Sequence, residues 1–175
     1  MRFLVQRVSR AAVTVEGKTV GEIGKGFLVL VGISKSDITE ASETEPETPF
    51  PDRSSMEIAE KMTRKLLGLR IFEDENGKTN LDLKSVEGSL LMISQFTLYA
   101  DCRKGNRPSF TNAGDPEKAC LLYRAVIELC RQEMAKGDPG FSGRVEEGIF
   151  GADMKVELVN DGPFTVLLDS DEIMR

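Results

Sequence analysis

Polar and apolar residues alternate over Phe3–Val8, and the segment is rich in β-formers, which predicts a strand. Ala12–Val15 predicts a second strand, stopped by Glu16-Gly17, and Thr19–Ile23 a short third. After a Gly24-Lys25-Gly26 turn, Phe27–Ile33 is almost continuously apolar, the pattern of a central strand covered on both faces. The period then changes. Ile58, Ala59, Met62, Leu66 and Leu67 fall near helical spacing within Met56–Leu67, and Gly68 is placed to end that helix. Leu69–Phe72 predicts a short strand, Glu75-Asn76-Gly77 a turn, and Leu81–Leu83 is too short to assign. Ser89–Leu98 carries the strongest strand signal in the chain. Asp115–Ala135 predicts the long helix, with Asp115 at the N-cap and Pro116 at the first turn. Leu121, Leu122, Ala125, Val126, Leu129 and Cys130 form its apolar stripe. Gly137–Gly148 reads as a glycine-rich loop. Met154–Val159 and Phe164–Leu168 read as two last strands joined at a corner, Asn160-Asp161-Gly162-Pro163. Many strands with two main helices predict an α+β fold of layered β/β/α type, its sheets curved and mostly antiparallel.

One segment breaks the pattern. Ser36–Ser55 contains three prolines and six acids (Asp37, Glu40, Glu43, Glu45, Glu47, Asp52) and no arginine or lysine until Arg53. Such a stretch buries too little apolar surface to offset ordering, so a disordered acidic insertion is expected at about 36–55. The chain has 175 residues, enough for one domain, and a net charge of −6. Without those six acids, the remaining 23 acids equal the 23 lysines and arginines in number. That balance excludes a protein that coats a nucleic-acid backbone, but it permits local basic contacts with a small anionic target.

Histidine is absent, which removes Ser–His–Asp and Cys–His catalysis and histidine-ligated metals. The three cysteines, Cys102, Cys120 and Cys130, show no CxxC spacing. They read as reduced thiols of a cytoplasmic protein, with Cys120 and Cys130 as helix packing residues. The segment MRFLVQRVSRAAV carries arginines within its apolar stretch, unlike a leader or a membrane span. No metal or cofactor motif is visible.

Four motifs carry chemistry. In "SQFT", Ser94, Gln95, Phe96 and Thr97 place hydroxyls and an amide at the end of a buried strand. They either fill a regular strand or mark a bulged, terminating strand whose free amides bind a carbonyl or oxyanion. In "NDGPFT", Gly162-Pro163 is either a hairpin corner or a rigid backbone device that presents its carbonyls in one direction. In "FGADM", Phe150, Gly151, Ala152 and Met154 either pack in the core or clamp a flat ring. Arg7 lies inside a strand, either on its polar face or as a fork for backbone carbonyls. Arg103, Lys104 and Arg107 form a basic loop.

The motifs QRV (6–8), the glycine-flanked apolar run at 24–32, SQFTLYA (94–100), KGNRPSF (104–110), FGADM (150–154) and NDGPFT (160–165), in that order, closely resemble the D-aminoacyl-tRNA deacylase family. The resemblance spans nearly the whole chain apart from the acidic insertion. It implies a deacylase-like fold and a homodimer that hydrolyses the ester of D-aminoacyl-tRNA, and of mischarged glycyl-tRNA, in translation quality control. It further implies that Ser94–Thr97 line the pocket, with backbone amides and the RNA 2′-hydroxyl assisting. Gly162 and Pro163, as a Gly–cis-Pro unit supported by Arg7, would act in the partner's site to reject L-amino acids. Phe150, Gly151, Ala152 and Met154 would surround the terminal adenosine, and Arg103, Lys104 and Arg107 would hold phosphates of the tRNA 3′ end. Neither cofactor nor membrane is implied. Phe164 departs from the family, which more often has a smaller β-branched residue there. Two other functions compete: a non-catalytic nucleic-acid or replication-associated binding module, and an editing domain for L-aminoacyl-tRNA.

Overall fold

The computed structural model describes residues 1–38, 50–136 and 140–174. Its sheet is organised by β1, Arg2–Val15, a single strand of 14 residues where two were expected. β1 pairs antiparallel with β2 (Lys18–Ile23), β3 (Gly26–Gly32) and β8 (Met154–Asp169). β3 and β6 (Ser89–Ser94) are parallel, as are β6 and β7 (Val145–Glu147), the latter a strand where a loop was expected. β4 (Phe72–Glu73) and β5 (Thr79–Leu81) form a separate small ladder. β8 is also continuous. The expected corner at 160–163 lies within it, because both of its halves find partners on the same strand, β1.

Two helices cover one face, completing the α+β layers. α1 (Arg53–Leu67) is capped by Asp52, whose side chain accepts from the Ser55 amide at 2.8 Å. α2 (Pro116–Ala135) is capped by Asp115, which accepts from the Glu117 and Lys118 amides. A short α3 (Ser170–Ile173) follows β8. Alternation on the two central strands explains the two cores. Phe27, Val29, Val31, Leu90 and Met92 face the helices, where they meet Ala59, Met62, Leu66, Leu122 and Val126. Leu28, Leu91 and Ile93 face the other way, against Val8, Ala11, Val13 and Ile23 from the curled part of the sheet. Burial pushes the Cys130 thiol up to about 12, so it packs as an inert apolar group. No helix among the described residues is long and apolar enough to cross a membrane.

Both flanks of the segment expected as an acidic insertion at about 36–55 belong to the described residues, 36–38 and 50–55. Lys35–Asp37 forms a 3-10 turn in which Asp37 is buried, accepts from the Ser34 amide and hydroxyl, and pairs with the Met1 ammonium. The C-terminal flank is the Asp52 cap and α1; residues 39–49, with four of the six acids, lie outside the described residues.

Gly26 permits the β3–β6 pairing. Its φ is +157°, and a Cβ there would sit 1.9 Å from the Ser89 carbonyl oxygen. Gly26→Ala should therefore lose more than about 2 kcal/mol of stability in denaturant unfolding. Gly24→Ala, with nothing within 4 Å of its added Cβ, should stay within about 1 kcal/mol.

A second prediction concerns acid. Burial raises the Asp169 carboxyl, but hydrogen bonds from Arg2 (2.7 Å) and the Asp171 amide outweigh it and hold the carboxyl below its ordinary 3.8. A depressed folded value stabilises above 3.8 and is lost as pH falls through it. The stability gap between wild type and Asp169→Asn should thus be constant near neutrality and shrink below that pH. A gap independent of pH would contradict this.

Candidate active site

The SQFT segment sits where parallel pairing runs out. β6 pairs with β3 as far as Val31↔Ser94, and the Gln95 amide donates to the Val31 carbonyl at 2.7 Å. Beyond that β3 ends, so no edge remains to pair with. The chain folds into a 3-10 turn, Phe96–Tyr99, instead of continuing as the expected strand to Leu98. The two-faced arrangement of 94–99 implied by a regular strand is therefore absent. The turn packs tightly on Gly32, where a Cβ would lie 3.0 Å from Leu98 Cβ and 3.2 Å from the Gln95 carbonyl oxygen. Gln95, the N-cap, supplies no side-chain hydrogen bond, which leaves the Phe96 and Thr97 amides unpaired within the turn.

Ser94, Gln95 and Phe96 line a cavity of about 750 Å³. Phe150, Gly151, Ala152 and Met154 line the same cavity, so two motifs over fifty residues apart meet in one place. Leu28, Leu30 and Ile93 add apolar lining, Gln6 a polar side chain, and Pro116, Ala119 and Tyr123 bring in α2. Phe96, 57% exposed, meets Phe110 edge-on with ring centroids 5.0 Å apart. Tyr123 and Phe150 contact at 5.7 Å, and the Tyr123 hydroxyl donates to the Met92 carbonyl at 2.8 Å. Burial drives that phenol well above its ordinary pKa, so Tyr123 stays protonated and serves as a wall. Sequence reasoning missed Gln6, Phe110 and Tyr123. Tyr123 had a legible signal, a tyrosine on the buried side of the α2 stripe. Among the described residues the sole charged lining residue is Asp153, whose carboxylate is 2.8 Å from the Lys155 ammonium.

Thr97 is exposed and does not line the cavity. Neither do Arg103, Lys104 and Arg107. Arg103 is tied to Asp101 at 2.6 Å, and that hydrogen bonding holds the Asp101 carboxyl down at about 2.

Gly162 and Pro163 lie elsewhere, on the excursion within β8. Gln6 pairs with Thr165 and Val8 with Asn160, so Arg7 alone faces residues 161–164. The Gly162–Pro163 peptide is cis. Arg7 is buried (6% exposed) and forks between two carbonyls, donating from Nε to Asp161 (2.9 Å) and from Nη1 to Ile71 (2.6 Å). Asn160 braces the far side: its Oδ1 accepts from the Phe164 amide at 2.7 Å and its Nδ2 donates to Thr165 Oγ1 at 3.1 Å. Phe164 packs under Arg7, its ring 5.1 Å from the guanidinium carbon. Gly162 has φ +139°, and a Cβ there would be 2.9 Å from the Phe164 nitrogen and 3.3 Å from Arg7 Nη2.

Residues 4–46 and 50–169 match the family model described as D-Tyr-tRNA(Tyr) deacylase. The chain belongs to that family. Among its relatives, the D-aminoacyl-tRNA deacylase of Clostridium novyi is 49% identical over 170 residues, covering 97% of each chain. That of Thermotoga petrophila is 49% identical over 173 residues, covering 99% of each. Among solved structures, the c-Myc DNA Unwinding Element Binding Protein superposes with a TM-score of 0.75 at 38% identity, over 97% of this chain and 98% of that one. A structure described as a "probable eukaryotic D-amino acid tRNA deacylase" superposes with a TM-score of 0.70 over 95% and 97% of the two chains; at 19% identity it speaks for the fold alone.

The Arg7 fork yields a test. Lysine carries charge but no planar fork, so Arg7→Lys leaves one buried carbonyl unsatisfied. It should cost about 1–3 kcal/mol of stability. It should also speed hydrogen exchange at the Phe164 amide more than at amides of β6.

Proposed function

We propose that this chain hydrolyses the ester joining a D-amino acid, or glycine, to the 3′-terminal adenosine of tRNA. The observation that carries this reading is the meeting of SQFT and FGADM in one cavity in a chain of this family. Phe150 and Met154 supply surfaces for a flat base, with Gly151 and Ala152 between them. Ser94, Gln95 and Phe96 line the same cavity and would hold the ester. Water attacks the ester carbonyl, the bond to the ribose oxygen breaks, and free amino acid and tRNA are released. The Phe96 amide stabilises the oxyanion, and the RNA 2′-hydroxyl assists. Support for this division of labour comes from the lining itself, which among the described residues offers no unpaired ionisable group to act as base. Thr97 accordingly positions rather than attacks. Arg103, Lys104 and Arg107 contact tRNA phosphates outside the cavity.

Chirality is read by Gly162 and Pro163, held in one orientation by Arg7 and Asn160, acting in trans in the site of a second copy. Two features support a homodimer. No strand among the described residues pairs with the outer edge of β8. The same strand also exposes Val159 and Leu167, a pattern that isolated edges avoid. One observation favours a second reading, nucleic-acid binding without catalysis: the similarity to the c-Myc DNA Unwinding Element Binding Protein.

Purified protein should cleave D-Tyr-tRNA and spare L-Tyr-tRNA. Thr97→Ala should retain activity within about tenfold, whereas loss of a true nucleophile would cost at least about a thousandfold. Gly162→Ala should lose rate or chiral strictness. Binding of tRNA with cleavage of neither substrate would transfer support to the second reading.

A further inference from the structure

A second cleft lies behind the wall made by Tyr123 and Phe150. Its volume is about 590 Å³, and those two rings line both spaces. Neither the cleft at Arg2, Tyr99 and Asn112 nor the one at Ser54, Ile58 and Met174 shares a lining residue with the larger cavity. Three charged residues of α2 reach the second cleft, Arg124, Glu128 and Arg131. Their spacing of four and three places them on one face of the helix.

The charges in this cleft are unequally satisfied. Arg131 pairs with Glu147 at 3.0 Å, and Glu128 accepts from Gln132 at 3.1 Å. Arg124 is exposed, and its side chain has no hydrogen bond or ion pair among the described residues. Nearby stands Ile149, an apolar side chain 49% exposed and next in sequence to Phe150. An uncompensated guanidinium beside an exposed apolar surface suits a phosphodiester together with the flat side of a base or sugar.

We propose that this cleft holds the nucleotide preceding the terminal adenosine of a single-stranded 3′ end, with its phosphate on Arg124. The proposal rests on reading the larger cavity as the adenosine site. A nucleotide joined to that adenosine by one phosphodiester must lie next to it, and the Tyr123–Phe150 wall is where a second cleft adjoins. Glu128 and Arg131 then border the base, where a carboxylate accepts from an amino group and a guanidinium donates to ring acceptors. The 103–107 loop lines neither space and contributes nothing to this nucleotide.

The test compares three substrates: the D-tyrosyl ester of adenosine, the same ester of the dinucleotide CpA, and D-Tyr-tRNA. Wild type should show a KM for the CpA ester at least about fivefold below that for the adenosine ester, as expected for one stacked and phosphate-held nucleotide. Arg124→Glu should erase that gain and leave kcat/KM on the adenosine ester within about twofold. It should also flatten the dependence of log KM on log salt for D-Tyr-tRNA by about 0.7, the contribution of one single-strand phosphate contact. Arg107→Glu should keep the CpA gain. An undiminished CpA gain in Arg124→Glu overturns the proposal, and so does an equal loss on both small esters, which a structural lesion would produce. A wild type that cleaves all three with no CpA gain overturns the cleft alone. One that cleaves none removes the deacylase reading and the cleft with it.

Discussion

Both edges of β1 are used along most of its length, and that constraint sets the rest of the molecule. Residues 2–8 take β3 on one side and residues 2–6 the end of β8 on the other; residues 11–15 take β2 and the start of β8. A strand paired to different neighbours in its two halves must bend, and register shifts at Gln6/Val8 and Val8/Arg10 mark the place. The bend curls the sheet over itself and separates the two cores, and the cavity lies between β3, β6, β8 and the first turns of α2. It also puts Arg7 opposite the four-residue excursion of β8. A buried arginine is tolerated there because two backbone carbonyls receive its donors.

The cavity combines an apolar lining with polar groups that are almost all uncharged. Fixed amide dipoles act more strongly in such surroundings than in water and need no proton transfer to be ready. An activated ester asks for little more than a held carbonyl and a placed water. A chain without histidine therefore suffers no evident handicap for this chemistry, and the protonated Tyr123 stands as wall rather than as base.

α2 links the two spaces. Its buried stripe joins the main core through Leu122, Val126 and Cys130. Tyr123 crosses to the cavity, and the charged row at Arg124, Glu128 and Arg131 faces the second cleft. One helix thus ties core packing to the position of the Phe150 ring, through the Tyr123–Phe150 contact.

Local signals in the chain were enough for the strand-rich α+β character, the two main helices, the Asp115 cap of the second, and the doubly buried β3, because periodicity and capping act within a few residues; the Asp52 cap of the first was read as part of the acidic insertion. The SQFT, FGADM and NDGPFT motifs were equally legible as motifs. Tertiary structure alone decided the rest. Whether Ser89–Leu98 continued as a strand depended on where β3 stopped, and whether 160–163 formed a corner depended on both halves of β8 finding β1. Asp37 looked like part of a solvated acidic run until the Met1 ammonium and the Ser170 hydroxyl came to it from elsewhere in the fold. The meeting of Ser94 with Phe150, and the separation of both from Gly162, follow from strand pairing across long sequence distances. No window of neighbouring residues contains that information.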